Sequence, residues 1–303
     1  MRGNQGILPP EPMTNDAVAE RLVRAARRSK DMGRFQKQNL VYLELNGCSG
    51  NIISLLNGRN PDFAYMVNDM VNLRYSNSLM AAEGAQATEK LFEAMNEPFI
   101  LAVEGAVSLR DEGMYNVIGM HNGSPLTGLE AARMLGEKAD TILAVGACAT
   151  HGGVSAARPN PSESVGLQSV LPDRELIKLP GCPVNPRWFL GTLAHIVLYG
   201  KPDTDSLGRP LMFYSTLIHD RCPRRPFFDR GIFAEKLGDP TCLFKLGCRG
   251  PVTRTDCPTK EWNSGVNWPI GANTPCIGCA QFGFPDAMEP FISYDTTRVV
   301  EDE

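Results

Sequence analysis

Nine cysteines are the residues of this 303-residue sequence whose type and spacing could do chemistry. A thiolate is a soft ligand that suits iron and zinc, and iron–sulfur clusters are held in proteins by cysteine thiolates. A four-iron cluster takes four protein ligands, whereas a cluster that lacks one corner iron takes three. We therefore expect three sites with three cysteines each, and a histidine is available as a tenth ligand.

Cys48, Cys148 and Cys182 each follow the end of a predicted strand, although they are far apart in the sequence. In open sheets of parallel strands, ligands bind at the carboxyl ends of the strands. The three thiols therefore share one edge of the predicted sheet, and we expect them to converge at one site.

The other six cysteines lie in the C-terminal part and divide by spacing into two sets. One set has a histidine three residues before its first cysteine and contains His219, Cys222, Cys242 and Cys248. The second set ends in a Cys-x-x-Cys pair and contains Cys257, Cys276 and Cys279. Zinc is the alternative metal that such cysteines could bind. Only one Cys-x-x-Cys pair is present, however, and the remaining spacings fit no zinc ribbon.

Alternating strand and helix patterns supply the elements that must position these side chains. Short apolar runs predict strands at 40–45, 99–103, 141–145 and 176–179. Helical periodicity predicts helices at 52–56, 128–138 and 186–199, the last with proline at its start. Strands that alternate with helices indicate an α/β fold with a doubly wound parallel sheet.

The chain divides into three segments. Residues 1–38 are predicted to be an N-terminal extension, in which Thr14, Asn15 and Asp16 can cap a docking helix that runs to about Lys30. Residues 39–215 carry the strand and helix pattern. Residues 216–303 are rich in Pro and Gly and poor in periodic runs, so we expect a separate irregular domain that metal centres hold together.

Charge and hydropathy exclude some classes of function. A formal net charge of -4 gives no basic footprint for nucleic acid, and no apolar run reaches the length of a membrane span. Arg27 and Arg28 resemble a twin-arginine export motif, but polar residues follow them instead of an apolar region. We therefore expect a cytoplasmic protein, at most peripheral to a membrane through partners, in which metal ligation is favoured over disulfides.

Five segments carry a resemblance to a known family. They are 146–153 (GACATHGG), 180–186 (PGCPVNP), 219–224 (HDRCPR), 242–251 (CLFKLGCRGP) and 275–279 (PCIGC). From about residue 40 to Phe291 the chain resembles the small subunits of nickel–iron hydrogenases. The resemblance implies a flavodoxin-like domain followed by an irregular domain, and three iron–sulfur clusters in line.

The resemblance also implies that the chain works with a large subunit, as a heterodimer or a higher oligomer. The partner would hold the nickel–iron centre that splits dihydrogen, because this chain has no pair of Cys-x-x-Cys motifs to bind nickel. The proximal cluster would face that centre on Cys48, Cys148 and Cys182. The medial cluster would lie on Cys257, Cys276 and Cys279, and the distal cluster on His219, Cys222, Cys242 and Cys248.

One departure from the family pattern concerns the proximal cluster. The family has Cys-x-x-Cys after the first strand, and we interpret Leu45 as the residue in the place of its first cysteine. The proximal set then has three thiolates, so it holds a three-iron cluster, or the fourth iron is held by Asn46, Ser49, Asn51 or water. We favour the three-iron form.

The other two clusters differ in their ligand sets. The medial set offers no obvious fourth ligand, so a three-iron cluster is expected there. The distal set would hold a four-iron cluster if His219 is a ligand, and a three-iron cluster otherwise. Fewer thiolates leave less negative charge, which raises the reduction potential.

High-potential sites suit hydrogen uptake, and a quinone is the expected electron acceptor. A hydrogen-sensing hydrogenase is the first alternative, because the expected lack of an export signal fits a sensor as well as a cytoplasmic uptake enzyme. A one-cluster subunit of a quinone oxidoreductase is a second, and the additional C-terminal cysteines argue against it. A plain ferredoxin is a third.

Two further residues have a structural and a functional interpretation. His151 lies three residues after Cys148 and could contact the surroundings of the cluster or be a structural histidine. Glu104, with Gly105, ends a predicted strand and could serve a proton path or cap a turn.

Overall fold

A computed structural model describes residues 18–288, with the exception of 35, 60, 263 and 264. The predicted helix cap at Thr14, Asn15 and Asp16 therefore lies outside the described residues, as do 289–303. The strands are β1 (Gln38–Glu44), β2 (Val71–Ser76), β3 (Phe99–Glu104), β4 (Val107–Ser108), β5 (Val117–His121), β6 (Ser124–Thr127), β7 (Thr141–Val145), β8 (Ser164–Val165) and β9 (Leu176–Leu179).

Helices alternate with these strands. They are α1 (Val18–Asp31), α2 (Gly50–Leu56), α3 (Phe63–Tyr65), α4 (Gly84–Ala94), α5 (Gly128–Lys138), α6 (Gly146–His151), α7 (Pro186–Tyr199), α8 (Leu211–Tyr214), α9 (Arg225–Asp229) and α10 (Cys257–Lys260). Among the described residues, no helix is long and apolar enough to cross a lipid bilayer.

The central sheet has five strands in the order β2-β1-β3-β7-β9, and neighbouring strands run parallel. Counting only these strands, the order is 2-1-3-4-5, which is the flavodoxin-like order of doubly wound folds. The predicted parallel sheet is thus confirmed. Strand β2 and helix α4 add to the predicted pattern, because β2 is a half-exposed edge strand with a weak apolar signal.

Alternate residues of the buried strands face two different hydrophobic clusters. Leu40 and Tyr42 of β1 pack on the side of α1, α2 and α7. Val41 and Leu43 pack on the side of α4 and α5. Because both faces of the sheet are covered, its central strands are nearly continuous apolar runs, as parallel sheets require.

Helix α1 belongs to the body of the protein. Its apolar stripe of Val18, Ala19, Leu22, Val23 and Ala26 is buried in the same cluster as α7. An ion pair of 3.1 Å joins Glu20 to Arg187 at the start of α7. The apolar stripe of α1 is therefore covered by this chain's own helix α7, and a docking role for the helix stays a prediction.

The C-terminal part is irregular, as its composition predicts, but its core is shared with the sheet domain. Ile218, Leu243 and Trp268 belong to the cluster that covers the α7 face of the sheet. The Trp188 indole of α7 donates a hydrogen bond of 2.6 Å to Asp256. The boundary near residue 215 stays a prediction, since one hydrophobic core runs across it.

Candidate metal centres

The first set of cysteines is assembled by three strand ends. Cys48 follows β1, Cys148 lies in α6 directly after β7, and Cys182 follows β9. The Ala147 N–H donates a bond of 2.8 Å to the Gly181 carbonyl, which ties two of these turns together. Burial, followed by the negative charge of the other two sulfurs, raises the pKa of the Cys182 thiol to about 11.

Leu45 lies apart from this set. Its side chain is 8% exposed and packs in the hydrophobic cluster on the α4 and α5 side of the sheet. A Cβ placed on Gly128 at the start of α5 would lie 2.8 Å from the Leu45 side chain, so α5 covers it. The interpretation of Leu45 as the replaced ligand is therefore not supported by its position, because a thiol there would face the core.

Asn51 is the residue that lies among the three cysteine-bearing turns. It lies in the first turn of α2, three residues after Cys48, as the second cysteine of a Cys-x-x-Cys motif lies three residues after the first. Its Oδ1 accepts a 2.8 Å bond from the N–H of Val184, two residues after Cys182. Its amide also contacts Gly146, where an added Cβ would lie 2.3 Å from Nδ2. Asn51 thus lies where the three turns meet, and its amide oxygen is already bonded to the Val184 backbone.

Glu104 anchors this arrangement from the end of β3. Its Oε1 accepts bonds of 2.8 and 3.0 Å from the N–H and Nδ2 of Asn51. Its Oε2 accepts from the Ile52 N–H at 3.0 Å and the Tyr42 hydroxyl at 2.8 Å. Burial raises the pKa of this carboxyl, although these donors oppose the shift. The residue fixes the start of α2, which positions Asn51.

The second set, Cys257, Cys276 and Cys279, is buried. The Thr255 hydroxyl donates to the Cys257 sulfur at 3.0 Å. Burial raises the pKa of Cys257 to about 12 and that of Cys276 to about 11. Asp256 is the nearest buried acid, but its carboxylate accepts the Trp188 indole bond.

The third set lines one small cavity, which is bounded by His219, Cys222, Cys242 and Cys248. The Gly250 N–H donates to the Cys248 sulfur at 3.4 Å. The His219 ring stands edge-on to Phe228 with centroids 4.5 Å apart. Burial, then the charge of Arg225, lowers the pKa of His219, which favours the neutral imidazole that metals bind.

The three sets follow one another through direct contacts. Cys182 packs against the buried cluster that contains Cys279, which links the first set to the second. The N–H of Arg249, the residue after Cys248, donates a bond of 2.8 Å to the Cys276 carbonyl, which links the second set to the third. The order along this path is therefore first, second, third.

The donor sets fit iron–sulfur clusters. Buried thiols with raised pKa values stay protonated unless a cation compensates the thiolate, and a coordinating metal deprotonates them outright. In the described ranges no three His, Cys, Asp or Glu side chains are close enough to hold a single metal ion.

Sequence reasoning identified the cysteines but named Asn51 only as one of several candidates to hold a fourth iron. The signal was present, because Cys48 and Asn51 have the same spacing as Cys276 and Cys279. The bonds that occupy the Asn51 amide come from Val184 and Glu104, which are distant in sequence and could not be found from the pattern.

Two family models match the chain. The model for the C-terminal part of the NiFe/NiFeSe hydrogenase small subunit matches residues 214–292. The model for the 20 Kd subunit of NADH ubiquinone oxidoreductase matches residues 48–196.

Similar whole proteins are known. The Hydrogenase-2 small chain of Escherichia coli K12 is 38% identical over 86% of this chain and 71% of its own length. The uptake hydrogenase small subunit of Azotobacter vinelandii is 40% identical over 80% of this chain and 68% of its own. The solved [NiFeSe]-hydrogenase chain of Desulfomicrobium baculatum has a TM-score of 0.80 and 34% identity, and the match covers 84% of this chain and 98% of that one.

Proposed function

The chain belongs to the small subunits of nickel–iron hydrogenases, which act in a complex with a large subunit, and we propose that it carries electrons away from dihydrogen oxidation. The observation that carries this proposal is the contact path along the three sets, from Cys182 to Cys279 and from Cys276 to the residue after Cys248. When bound, the clusters supply one-electron redox centres along this path. The protein's own part is to hold their ligands and to exclude water from the buried second set.

We further propose a three-iron cluster on Cys48, Cys148 and Cys182. Asn51 supports this, because its Oδ1 accepts the Val184 N–H and its Nδ2 donates to Glu104. Asn46 is engaged as well, since its Oδ1 accepts a 2.7 Å bond from Asn116. Neither amide is available to hold a fourth iron without breaking these bonds.

The second set would likewise hold a three-iron cluster, and the third a four-iron cluster with His219 as its fourth ligand. Asp256 is bonded to Trp188, which leaves three thiolates at the second set. His219 borders the same cavity as the three cysteines of its set. Iron content and electron paramagnetic resonance of the purified complex test both assignments, and a complete cubane at Cys257, Cys276 and Cys279 would contradict the first.

The direction of electron flow follows from ligand number. Sites with three thiolates carry less negative charge than sites with four, so they accept electrons more readily. For a two-electron couple, about 30 mV corresponds to roughly 1.4 kcal/mol, so a modest rise in potential already disfavours hydrogen evolution. We therefore propose uptake of hydrogen with a quinone as the acceptor.

Turnover of the purified complex tests this assignment. We expect sustained hydrogen-dependent reduction of a soluble naphthoquinone, and much slower hydrogen evolution from a reduced dye. Very slow turnover with every acceptor would instead indicate a hydrogen sensor. Fast hydrogen evolution would contradict uptake.

The cytoplasmic location stays a prediction. One relative, the small subunit of the periplasmic [NiFe] hydrogenase of Solidesulfovibrio fructosivorans, is 37% identical over 84% of this chain. Cell fractionation with an antibody to this chain would decide between the two compartments.

A further inference from the structure

A groove of about 320 Å³ lies between the exposed face of α1 and the end of α7. Four arginines border it, and we call it the arginine groove: Arg21, Arg24, Arg28 and Arg34. Ala25 of α1 and Leu198 of α7 give it an apolar floor. No cysteine of the three sets borders the groove, so this surface is separate from the proposed electron path.

The four arginines have no partner of opposite charge in the part of the chain that the structure describes. All four residues are exposed. None of their guanidinium groups forms an ion pair or a hydrogen bond with a described residue, and no acidic residue is among those that border the groove. Their positive charges are therefore available to an external anion.

Other cations of α1 are already engaged. The Arg27 guanidinium lies over the Tyr65 ring, 5.3 Å from its centroid. Lys30 forms an ion pair of 2.5 Å with Asp69. The lack of partners is thus a property of the four groove arginines and not of every cation on this helix.

The acids of α1 do not neutralise the groove. Glu20 forms an ion pair with Arg187 of α7. Asp31 lies one helical turn after Arg27, on the side of the helix that faces Tyr65. Both carboxylates are therefore placed away from the groove arginines.

Arg21, Arg24 and Arg28 follow one another at three- and four-residue intervals, so they form one stripe along α1. Like charges at this spacing destabilise a helix by a few tenths of a kcal/mol per pair. The whole chain has a formal net charge of -4, so the positive stripe is a local concentration against the overall charge. Such a stripe suits a surface that carries many anions.

Met32 adds an apolar side chain to this cationic surface. It borders the groove and is 56% exposed. At a bilayer surface, anionic phosphates lie directly above apolar acyl chains, so cations and an apolar side chain can both be accommodated. Clusters of four to eight Lys or Arg residues on an amphipathic helix are typical of binding to anionic lipids. The combination favours a lipid surface over an acidic protein segment.

We propose that the arginine groove docks the hydrogenase complex on a membrane surface rich in anionic phospholipids. The guanidinium groups of Arg21, Arg24, Arg28 and Arg34 bind lipid phosphates, and Met32 enters the boundary between head groups and acyl chains. The attraction is electrostatic, so salt weakens it. The inference goes beyond the proposed function and does not depend on the electron acceptor, because vesicles without quinone can test it.

The test uses the purified complex of this chain with its large subunit. Its partition onto vesicles is measured by co-sedimentation, with phosphatidylcholine alone and with equal parts of phosphatidylcholine and phosphatidylglycerol. A variant that combines Arg21→Gln, Arg24→Gln and Arg28→Gln removes three cations from exposed helix positions. We expect its partition onto the anionic vesicles to fall about a hundredfold, because each cation near such a surface contributes about one power of five.

Two matched variants control for folding and for net charge. Arginine-to-lysine changes at the same three positions keep the cations and should keep the partition close to that of the unaltered complex. A variant that combines Lys90→Gln, Arg133→Gln and Lys138→Gln removes the same charge from exposed positions of α4 and α5, on the other side of the sheet. It should bind the anionic vesicles as the unaltered complex does. All variants should retain hydrogen-dependent dye reduction, because the groove is separate from the cysteine sets.

Three outcomes would overturn the proposal. The first is equal binding of the unaltered complex to neutral and anionic vesicles, and the second is equal binding of the glutamine variant and the unaltered complex. The third is binding of the complex to soluble poly-glutamate but not to anionic vesicles, which would identify the groove as a site for an acidic protein. Release from vesicles by inorganic phosphate, beyond the effect of chloride at equal ionic strength, would identify a discrete phosphate site and would also contradict a lipid surface.

Discussion

Asn51 is the residue on which the proposed composition of the first metal centre depends. It has the spacing of a cysteine ligand after Cys48, but its amide oxygen accepts a backbone N–H and its amide nitrogen donates to Glu104. An amide bonded in this way is a poor substitute for a thiolate, which is both soft and negatively charged. The number of thiolates at the first set therefore depends on Asn51, whereas Leu45 serves the core.

Asn51→Cys should convert the proposed three-iron cluster of the first set to a four-iron cluster. The added thiolate gives the fourth ligand and lowers the reduction potential, because it adds negative charge. Redox titration of the complex, followed by electron paramagnetic resonance, measures both changes. Leu45→Cys is the control and should leave the proximal signal unaltered. Conversion by Leu45→Cys alone would restore the interpretation based on sequence.

His219→Ala should change the spectrum of the third cluster. Loss of the imidazole leaves Cys222, Cys242 and Cys248, which suffice for a three-iron cluster but not for a cubane with four protein ligands. His195→Ala is a suitable control, because the His195 Nδ1 lies 2.9 Å from the Gly200 carbonyl, within the end of α7. An unchanged spectrum in His219→Ala would mean that the third cluster already has three irons.

At the scale of elements, the carboxyl end of the sheet is held by buried polar bonds as well as by apolar packing. Glu104 at the end of β3 bonds to the first turn of α2 and to Tyr42 of β1. The sheet order places β1 beside β3, and the order in which successive strands are added to the sheet reverses between these two strands. Ligand sites of doubly wound folds form at this switch point. The Glu104 carboxylate bonds to groups on both sides of it.

Glu104→Gln should destabilise the chain by about 1–3 kcal/mol, because the amide group of Gln faces N–H donors that then lose their acceptor. The expected result is a lower midpoint of thermal unfolding of the complex and a lower iron content. Glu89→Gln, on the exposed face of α4, is the control and should change neither. Equal stability of both variants would show that the Glu104 bonds are dispensable.

Helix α1 is expected to be necessary for stability because it covers α7. Leu22 is 1% exposed, and truncation of a buried leucine to alanine costs about 2–5 kcal/mol. Leu22→Ala should therefore lower the unfolding midpoint of the complex. Arg24→Ala, at an exposed position of the same helix, should have little effect. A small effect of Leu22→Ala would mean that α1 only rests on the domain.

At the scale of the whole molecule, the three cysteine sets belong to one continuous body. Its described cysteines are all assigned to three consecutive sets, and one hydrophobic core joins the sheet to the irregular part. The medial and distal sets are thus held on the same body as the proximal set. The catalytic centre belongs to the large subunit with which this family acts.

The chain produced without its large subunit should bind iron but show no hydrogen-dependent dye reduction. The reason is that its thiolates are committed to electron-transfer sites. Adding the separately prepared large subunit, or producing both together, should restore the activity. Splitting of dihydrogen by the isolated chain would contradict this division of labour.

The sequence alone determined the fold class and the family. Strand and helix periods are local properties, and strands that alternate with helices permit few arrangements, so the parallel sheet could be predicted. The grouping of the cysteines rests on strand ends and on spacing and stays a prediction, although His219, Cys222, Cys242 and Cys248 do border one cavity.

Tertiary structure decided what depends on contacts between distant residues. Leu45 could be assigned to the core, and Asn51 to the first set, only once α5, Val184 and Glu104 were in place. That α7 covers the apolar stripe of α1 could likewise be seen only in the packed structure. The missing partner of the buried His151 Nε2 among the described residues also emerged only there, because a side chain's lack of partners can be seen only when every neighbour has a position.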